Sequence, residues 1–369
     1  MKHNPVISGP CDITPEEAGF HPPVLEKLKG FFARLVEEDK LQCAGYLLAR
    51  HGKIFAHAAM GRLLPEAASP PYQPDSLRMI ASSTKVFTAV ALMQLAERGC
   101  LTIEQPAADF IKEFDTDLHR GIKLSHLLTH TSGLAPDPGF SLEPYPVIQY
   151  DFKDMEEFLT FALRGPLHSE PGARWAYCTH GFVILGEVIA RVSGLPYETY
   201  VQKNILDPLG LTDTHFIVPP RKRSRVCFTE PPAPGFWERA DLLAAGGGLY
   251  STLRDLHRFG QMMLDNGALD GVRILSRKSV ETMTTNRLYR VPADAWDTHQ
   301  DAKLHGWGWS LEYRSTVTPG TYGHEGSGRV NLVIDPVEEL VAVYFVPTAV
   351  PWVPESLLGP LALIWSGVA

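Results

Sequence analysis

Residues 82–98 are apolar on almost every side of a helical wheel: Val86, Phe87, Ala89, Val90, Ala91, Leu92, Met93 and Leu95, with Gly99 placed as a C′ residue. A helix of this kind has no face for water, so other elements must surround it. The fold must be large enough to do so, and 369 residues suffice for one large domain or two interleaved ones. Into this segment the chain places Ser82 and Lys85. Three residues apart on a helix, they share a face, and helical side chains lean back toward the N-terminus. Lys85 is therefore expected to reach back over Ser82.

That pairing has a chemistry. A serine hydroxyl is a poor nucleophile until a neighbour takes its proton. A neutral amine accepts the proton, and an ammonium stabilises the alkoxide. A helix N-terminus adds partial positive charge and free N–H groups, which makes the Ser82 amide a candidate oxyanion donor. Ser-x-x-Lys alone is a common accident, and Ser83 and Thr84 also suit N-terminal capping. Ser83 is the weaker nucleophile candidate, because Lys85 is only two residues on and points elsewhere.

The rest of the chain supplies the surroundings. An amphipathic helix is expected over 23–38, and a hairpin over 44–59 turning at His51-Gly52. Further helices are expected near 123–129, 154–163, 181–193, 197–206 and 252–266. Strands are expected at Trp307–Tyr313, Val330–Ile334 and Leu340–Phe345. A C-terminal helix starting near Pro354 would be kinked or shortened at Gly359-Pro360.

Charged residues at 21% and hydrophobic ones at 44% describe an ordinary water-exposed globular chain. A formal net charge of −8 disfavours a nucleic-acid partner. No stretch reaches the roughly 18 apolar residues of a membrane span, and no signal peptide is visible after Met1, so a cytoplasmic location and no membrane partner are expected. Five scattered cysteines without a C-x-x-C pair read as reduced thiols.

Several strings carry a family resemblance. Met79-Ile80-Ala81-Ser82-Ser83-Thr84-Lys85, Leu127-Leu128-Thr129-His130-Thr131-Ser132-Gly133-Leu134, and Pro171-Gly172-Ala173-Arg174-Trp175-Ala176-Tyr177 with Gly181–Gly186 behind it are three of them. Pro208–Leu211, Gly246–Thr252 and Gly323-His324-Glu325-Gly326 complete the set. Together, over roughly residues 15–350, the chain resembles the penicillin-recognising serine hydrolase superfamily. Within it, the likeness is to the branch of class C β-lactamases and family VIII carboxylesterases.

The resemblance implies an α+β, β-lactamase/transpeptidase-like fold. An antiparallel sheet domain would be built from 1–61 and 246–369, and a mostly helical domain, 62–245, would carry the nucleophile and tyrosine motifs. By resemblance Ser82 is the acylated nucleophile, and Lys85 and Tyr177 share the proton transfers. The amides of Ser82 and Ser327 hold the oxyanion, and His324, Gly326 and Thr179 line the substrate site. A phenol's ordinary pKa is about 10, so Tyr177 acting as a base would need a cationic Lys85 beside it. On a strand, His324 and Gly326 share one face and Glu325 takes the other.

The chain also departs from the β-lactamase pattern. Thr179 stands where those enzymes have asparagine, and His324-Glu325-Gly326 where they have Lys-Thr-Gly. An amide that bonds a substrate amide and an ammonium that pairs with a carboxylate are both missing. The expectation is a metal-independent, cofactor-free esterase for small carboxylic esters, acting through an acyl-enzyme on Ser82. A D-amino-acid amidase, peptidase or weak β-lactamase on the same residues is the alternative; an idle ligand-binding relative belongs to another class.

Weaker signals were weighed beside these. His126 and His130 have i,i+4 spacing that suits a metal pair, without the glutamate of H-E-x-x-H. Arg221–Arg225 reads as an exposed basic loop. Tyr145, Tyr150, Phe152, Phe236, Trp237, Trp296, Trp307 and Trp309 are candidates for an acyl pocket or for plain packing. No G-x-S-x-G elbow occurs.

Overall fold

The computed structural model describes residues 5–137, 152–230, 232, 235–238, 244–295, 298–300, 304–311, 316–327, 329–347 and 354–369. A seven-stranded antiparallel sheet is built from the two ends of the chain: β1 (Ile7–Ser8), β2 (Cys43–Arg50), β3 (Lys53–Gly61), β4 (Ser310–Leu311), β5 (Tyr322–Gly326), β6 (Val330–Asp335) and β7 (Leu340–Phe345). Their order is β1-β3-β2-β7-β6-β5-β4. The N-terminal hairpin joins the C-terminal strands through the β2–β7 ladder, which pairs Arg50 with Leu340 and Gly45 with Phe345.

Both faces of the central strands are buried. Tyr46, Leu48, Ala342 and Tyr344 pack with α1 (Pro22–Glu37), through Leu28, Phe32 and Leu35, and with the C-terminal helix, through Leu361 and Ile364. Leu47, Ala49, Val341 and Val343 face the other way, into a larger cluster that includes Leu253, Leu256 and Phe259. These three belong to the helix Leu253–Leu264, which lies close against the sheet. A Cβ on its Gly260 would stand 2.8 Å from Leu332 Cδ1 and 2.9 Å from Val341 Cγ1.

The expected hairpin turn is present: His51 and Gly52 both have positive φ, 51° and 72°, as a two-residue type I′ connection requires. The C-terminal helix is not shortened at Gly359-Pro360: it spans Pro354–Ser366 with Pro360 inside it. The lost backbone bond is outweighed by packing, with Leu361 and Ile364 fully buried. Gly359 has a packing reason, since a Cβ there would meet the Phe31 ring at 2.7 Å. Of the expected strand Trp307–Tyr313, Ser310–Leu311 is extended and 307–309 are not, while Glu312 and Tyr313 lie outside the described residues. Arg221–Arg225 is a 3-10 turn, not a free basic loop. Lys222 and Arg225 both reach Asp213 at 2.9 Å, and Arg225 also pairs with Asp75.

Between the sheet segments lie most of the described helices, among them α2 (Lys85–Glu97), every residue of which from Lys85 to Leu95 is buried. No helix among the described residues is long and apolar enough to cross a membrane.

Gly260→Val is expected to overpack the helix–sheet contact and cost about 1–3 kcal/mol. Urea unfolding should show a lower midpoint with an unchanged slope; an unaltered midpoint would mean that the helix can move away freely.

Candidate active site

Ser82 stands on a tight turn. The expected helix over 82–98 is a 3-10 turn, Ala81–Thr84, followed by α2 from Lys85. In 3-10 geometry side chains at i and i+3 eclipse, so the shorter helix keeps Ser82 and Lys85 facing. Ala81 has φ 45°, a left-handed conformation that costs a non-glycine residue about 1 kcal/mol or more. The turn is held from outside. The Ile80 amide donates to the Leu249 carbonyl at 2.8 Å, and the Leu249 amide donates to Thr84 Oγ1 at 3.1 Å. Ser82 is partly exposed between Ala81 and Ser83, which are buried.

Lys85 is wholly inside the protein. Its Nζ lies 3.1 Å from Ser82 Oγ, 3.2 Å from Thr179 Oγ1 and 2.7 Å from the Gly246 carbonyl. Burial pushes its pKa down to about 8, against the opposing pull of Asp137 and the weaker one of Cys178. The ammonium also lies 5.0 Å from the Tyr177 ring centroid and 5.7 Å from that of Phe182.

Tyr177 reaches the same serine: its phenol is hydrogen-bonded to the Ser82 side chain. Burial pushes the phenol well above its ordinary value, and that outweighs the Ser82 bond. The phenol therefore keeps its proton near neutral pH. The Thr129–Leu134 string explains how the ring is fixed. His130 has φ 57°, stacks on Tyr177 with centroids 4.3 Å apart, and accepts from the Cys178 amide at 3.1 Å through Nδ1. Its carbonyl takes the Ala176 amide at 2.9 Å, and the Thr131 carbonyl takes the Gly172 amide at 2.7 Å.

The helix begun at 124 ends at Leu128, so His126 and His130 do not share a helical face. His126 Nδ1 accepts from the Lys123 amide instead. Among the described residues no cluster of His, Cys, Asp and Glu is arranged to hold a metal ion.

Strand β5 forms the opposite wall. His324 and Gly326 are buried and Glu325 is half-buried, in keeping with the alternation of a strand. A Cβ on Gly326 would lie 2.1 Å from the Ile80 carbonyl oxygen and 3.4 Å from the Ser82 amide nitrogen. Only glycine permits that backbone approach. Ser327 follows it, exposed, at the end of the strand. His324 is held uncharged: burial, with Lys85 adding to it, pushes its pKa down to about 3. Its Nδ1 lies 2.7 Å from the Glu325 carbonyl, so that nitrogen carries the hydrogen.

Thr179 opens the helix Thr179–Ser193, with its hydroxyl turned inward to Lys85 and to Asp137 Oδ2 at 2.6 Å. Asp137 carries no motif signal, and Gly246 stands in the Gly246–Thr252 string without a role attached to its carbonyl. Asp137 sits three residues past the Thr129–Leu134 string with no periodicity to mark it. Gly246 contributes a backbone atom, which no side-chain motif records. Of the candidate aromatics, Phe152 and Trp309 belong to the core, and Phe236 and Trp237 pack with Phe228 and Tyr250. Trp307 lies under the Arg287 guanidinium, while Tyr145, Tyr150 and Trp296 fall outside the described residues.

Residues 28–360 match the family model described as Beta-lactamase. The chain belongs to this family. Esterase EstB from Burkholderia gladioli is 32% identical over 206 residues, covering 52% of this chain and 51% of that protein. A putative D-alanyl-D-alanine carboxypeptidase from Escherichia coli O157:H7 is 27% identical, over 89% of this chain and 83% of that one. Protein Rv1367c from Mycobacterium tuberculosis (strain ATCC 25618 / H37Rv) is 32% identical over 252 residues, and the match spans 62% of its length. Among solved structures, EstCE1, a hydrolase with promiscuous acyltransferase activity, superposes with a TM-score of 0.76 at 19% identity, over 94% of this chain and 98% of its own. That likeness establishes the β-lactamase/transpeptidase-like fold of an antiparallel sheet flanked by helices.

Gly326→Ala is expected to drive β5 away from the Ile80–Ser82 turn. The labelling rate of Ser82 by a fluorophosphonate should fall at least ~10-fold with the circular dichroism spectrum unchanged. Labelling at the wild-type rate would show that the close approach is not needed.

Proposed function

We propose that this chain is a serine hydrolase that cleaves small carboxylic esters through an acyl-enzyme on Ser82. The observation that carries this reading is the convergence of an amine, a phenol and a hydroxyl. Lys85 Nζ is 3.1 Å from Ser82 Oγ, and Tyr177 is hydrogen-bonded to the same side chain.

In this reading neutral Lys85 takes the Ser82 proton as Oγ forms its bond to the ester carbonyl carbon. The amides of Ser82 and Ser327 hold the negative oxygen. The ester C–O bond then breaks. The protonated phenol of Tyr177 gives its hydrogen to the departing alkoxide and regains one from the Lys85 ammonium. Water enters by the reverse sequence and releases the carboxylic acid. A phenol whose pKa burial has raised suits the acid role, and an amine lowered to about 8 suits the base role near neutral pH.

Two features support an ester over a β-lactam. Thr179 offers no amide and spends its hydroxyl on Lys85 and Asp137. His324, with a pKa near 3, supplies no positive charge for a substrate carboxylate. The EstB relative is in keeping with this choice. A second reading, cleavage of D-alanyl amides, is favoured by the putative carboxypeptidase, which aligns over more of the chain.

The wild-type protein is expected to hydrolyse p-nitrophenyl acetate and butyrate, and Ser82→Ala to lose the activity. Turnover without a fluorophosphonate adduct on Ser82 would overturn the assignment. A kcat/KM for D-alanyl-p-nitroanilide above that for the esters would move the substrate class to amides.

The pH profile carries its own sign. Lys85 must be neutral to accept the proton, so kcat/KM should climb with pH, about tenfold per unit, and level off above about 8. A rate independent of pH between about 6 and 9 would remove Lys85 from the base role.

A further inference from the structure

We propose that Asp137 is a positioning residue for this hydrolase: by fixing the direction of the Thr179 hydroxyl, it aims the exchangeable site of Lys85 at Ser82. The inference rests on the reading of Lys85 as the base and follows from counting donors and acceptors. A carboxylate only accepts. Asp137 Oδ1 takes the Thr179 amide at 2.7 Å, and Oδ2 lies 2.6 Å from Thr179 Oγ1. The single hydroxyl hydrogen of Thr179 therefore points at Asp137, and Thr179 faces Lys85 with lone pairs. The Gly246 carbonyl is also acceptor only. Two of the three outward positions on Lys85 Nζ must then be N–H bonds, one to Thr179 at 3.2 Å and one to Gly246 at 2.7 Å. The third faces Ser82 Oγ at 3.1 Å. In the ammonium it is a hydrogen, and in the free amine it is the lone pair that takes the serine proton.

Without the carboxylate, Thr179 is free to turn its hydrogen to Lys85 and occupy that lone pair. The amine would then be present but misdirected. Asp137 is itself anchored, since its amide donates to the Tyr177 carbonyl at 2.7 Å. The clamp thus ties the base to the same backbone that carries the phenol.

Asp137 also acts through its charge. The groups around Lys85 are Asp137, Cys178, Tyr177, His130 and His324. Burial keeps both histidines uncharged, the Tyr177 phenol protonated, and the Cys178 thiol up at about 12. Among the described residues Asp137 is the one carboxylate acting on Lys85, and it opposes the effect of burial. Removing it should lower the Lys85 midpoint.

The test uses the full chain with [ε-13C]lysine, assigning the buried Lys85 signal by its loss in Lys85→Arg. Asp137→Asn should titrate Lys85 about one pH unit lower than wild type. The rise of kcat/KM for p-nitrophenyl butyrate should shift by the same amount, and its plateau should fall at least ~10-fold. Thr179→Val, which keeps the carboxylate, should lose plateau rate with a far smaller shift of midpoint, and Thr179→Ser should restore what Thr179→Val loses. An unmoved Lys85 midpoint in Asp137→Asn would overturn the proposal and leave Asp137 as a helix cap. Should Asp137→Asn fail to fold, equal plateau rates in Thr179→Val and Thr179→Ser would overturn it. A wild type inert to esters and amides in which the midpoint still moves would instead sink the ester-hydrolase reading alone.

Discussion

A primary amine with no access to solvent, placed in the first turn of a helix that is otherwise apolar, is the constraint around which this protein is arranged. Burying an ammonium without acceptors is prohibitive, and burying it with them still depresses its pKa. The acceptors of Lys85 come from segments far apart in the sequence: Ser82 from its own turn, Thr179 from the start of another helix, and Gly246 from a carbonyl in the stretch before the helix Leu253–Leu264. One nitrogen atom therefore joins three parts of the chain. The surrounding cluster, with Val86, Val90, Phe182, Val183 and Ala245, excludes the water that would otherwise compete for those bonds.

The second requirement is that the sheet edge meet the turn that carries Ser82. Gly326 lies against the Ile80 carbonyl, and Ser83 Oγ reaches the His324 carbonyl at 3.4 Å. The strand and the turn thus touch backbone to backbone, and the left-handed Ala81 is held between them. Strain of this kind persists only where the surroundings over-determine it. Here they do: Ile80 and Thr84, on either side of Ala81 and Ser82, are both bonded to Leu249.

Much of this was legible in the sequence, for reasons that differ by element. The run 86–95, apolar but for Thr88 and Gln94, announced a buried helix because nothing else hides so many large side chains. The hairpin at His51-Gly52 followed from alternation and a turn dipeptide. The pairing of the N-terminal hairpin with the C-terminal strands was not in the periodicity and came only with the family likeness, since strands do not encode their neighbours. Pro360 misled, because a local helix-breaking rule yields when the residues after it are fully buried. At the site, Ser82, Lys85, Tyr177, Thr179, His324, Gly326 and Ser327 were named by motif; Lys85 lies within hydrogen-bond distance of Ser82 and Thr179 and beside the Tyr177 ring, and Gly326 approaches the Ser82 turn. Asp137 was not named, since nothing in a sequence ties it to a threonine 42 residues on. His130 had been weighed as a metal ligand; as the surface beneath the Tyr177 ring, it needed the fold to be seen.

The charges that remain in the crevice set what it can recognise. His130 and His324 are uncharged at neutral pH, and Cys178 and Tyr177 keep their hydrogens. What is left near Ser82 is Lys85, compensated through Thr179 by Asp137, with Glu325 close enough to be felt by Tyr177. Among the described groups acting on Lys85, none supplies a second positive charge. On the proposed reading, an uncharged acyl group loses nothing there, whereas a carboxylate would be stripped of water without an ion-pair partner to replace it. On the proposed reading, a bias against carboxylates would come from the same burial that lowers Lys85 to about 8, because those surroundings also hold the His324 ring uncharged.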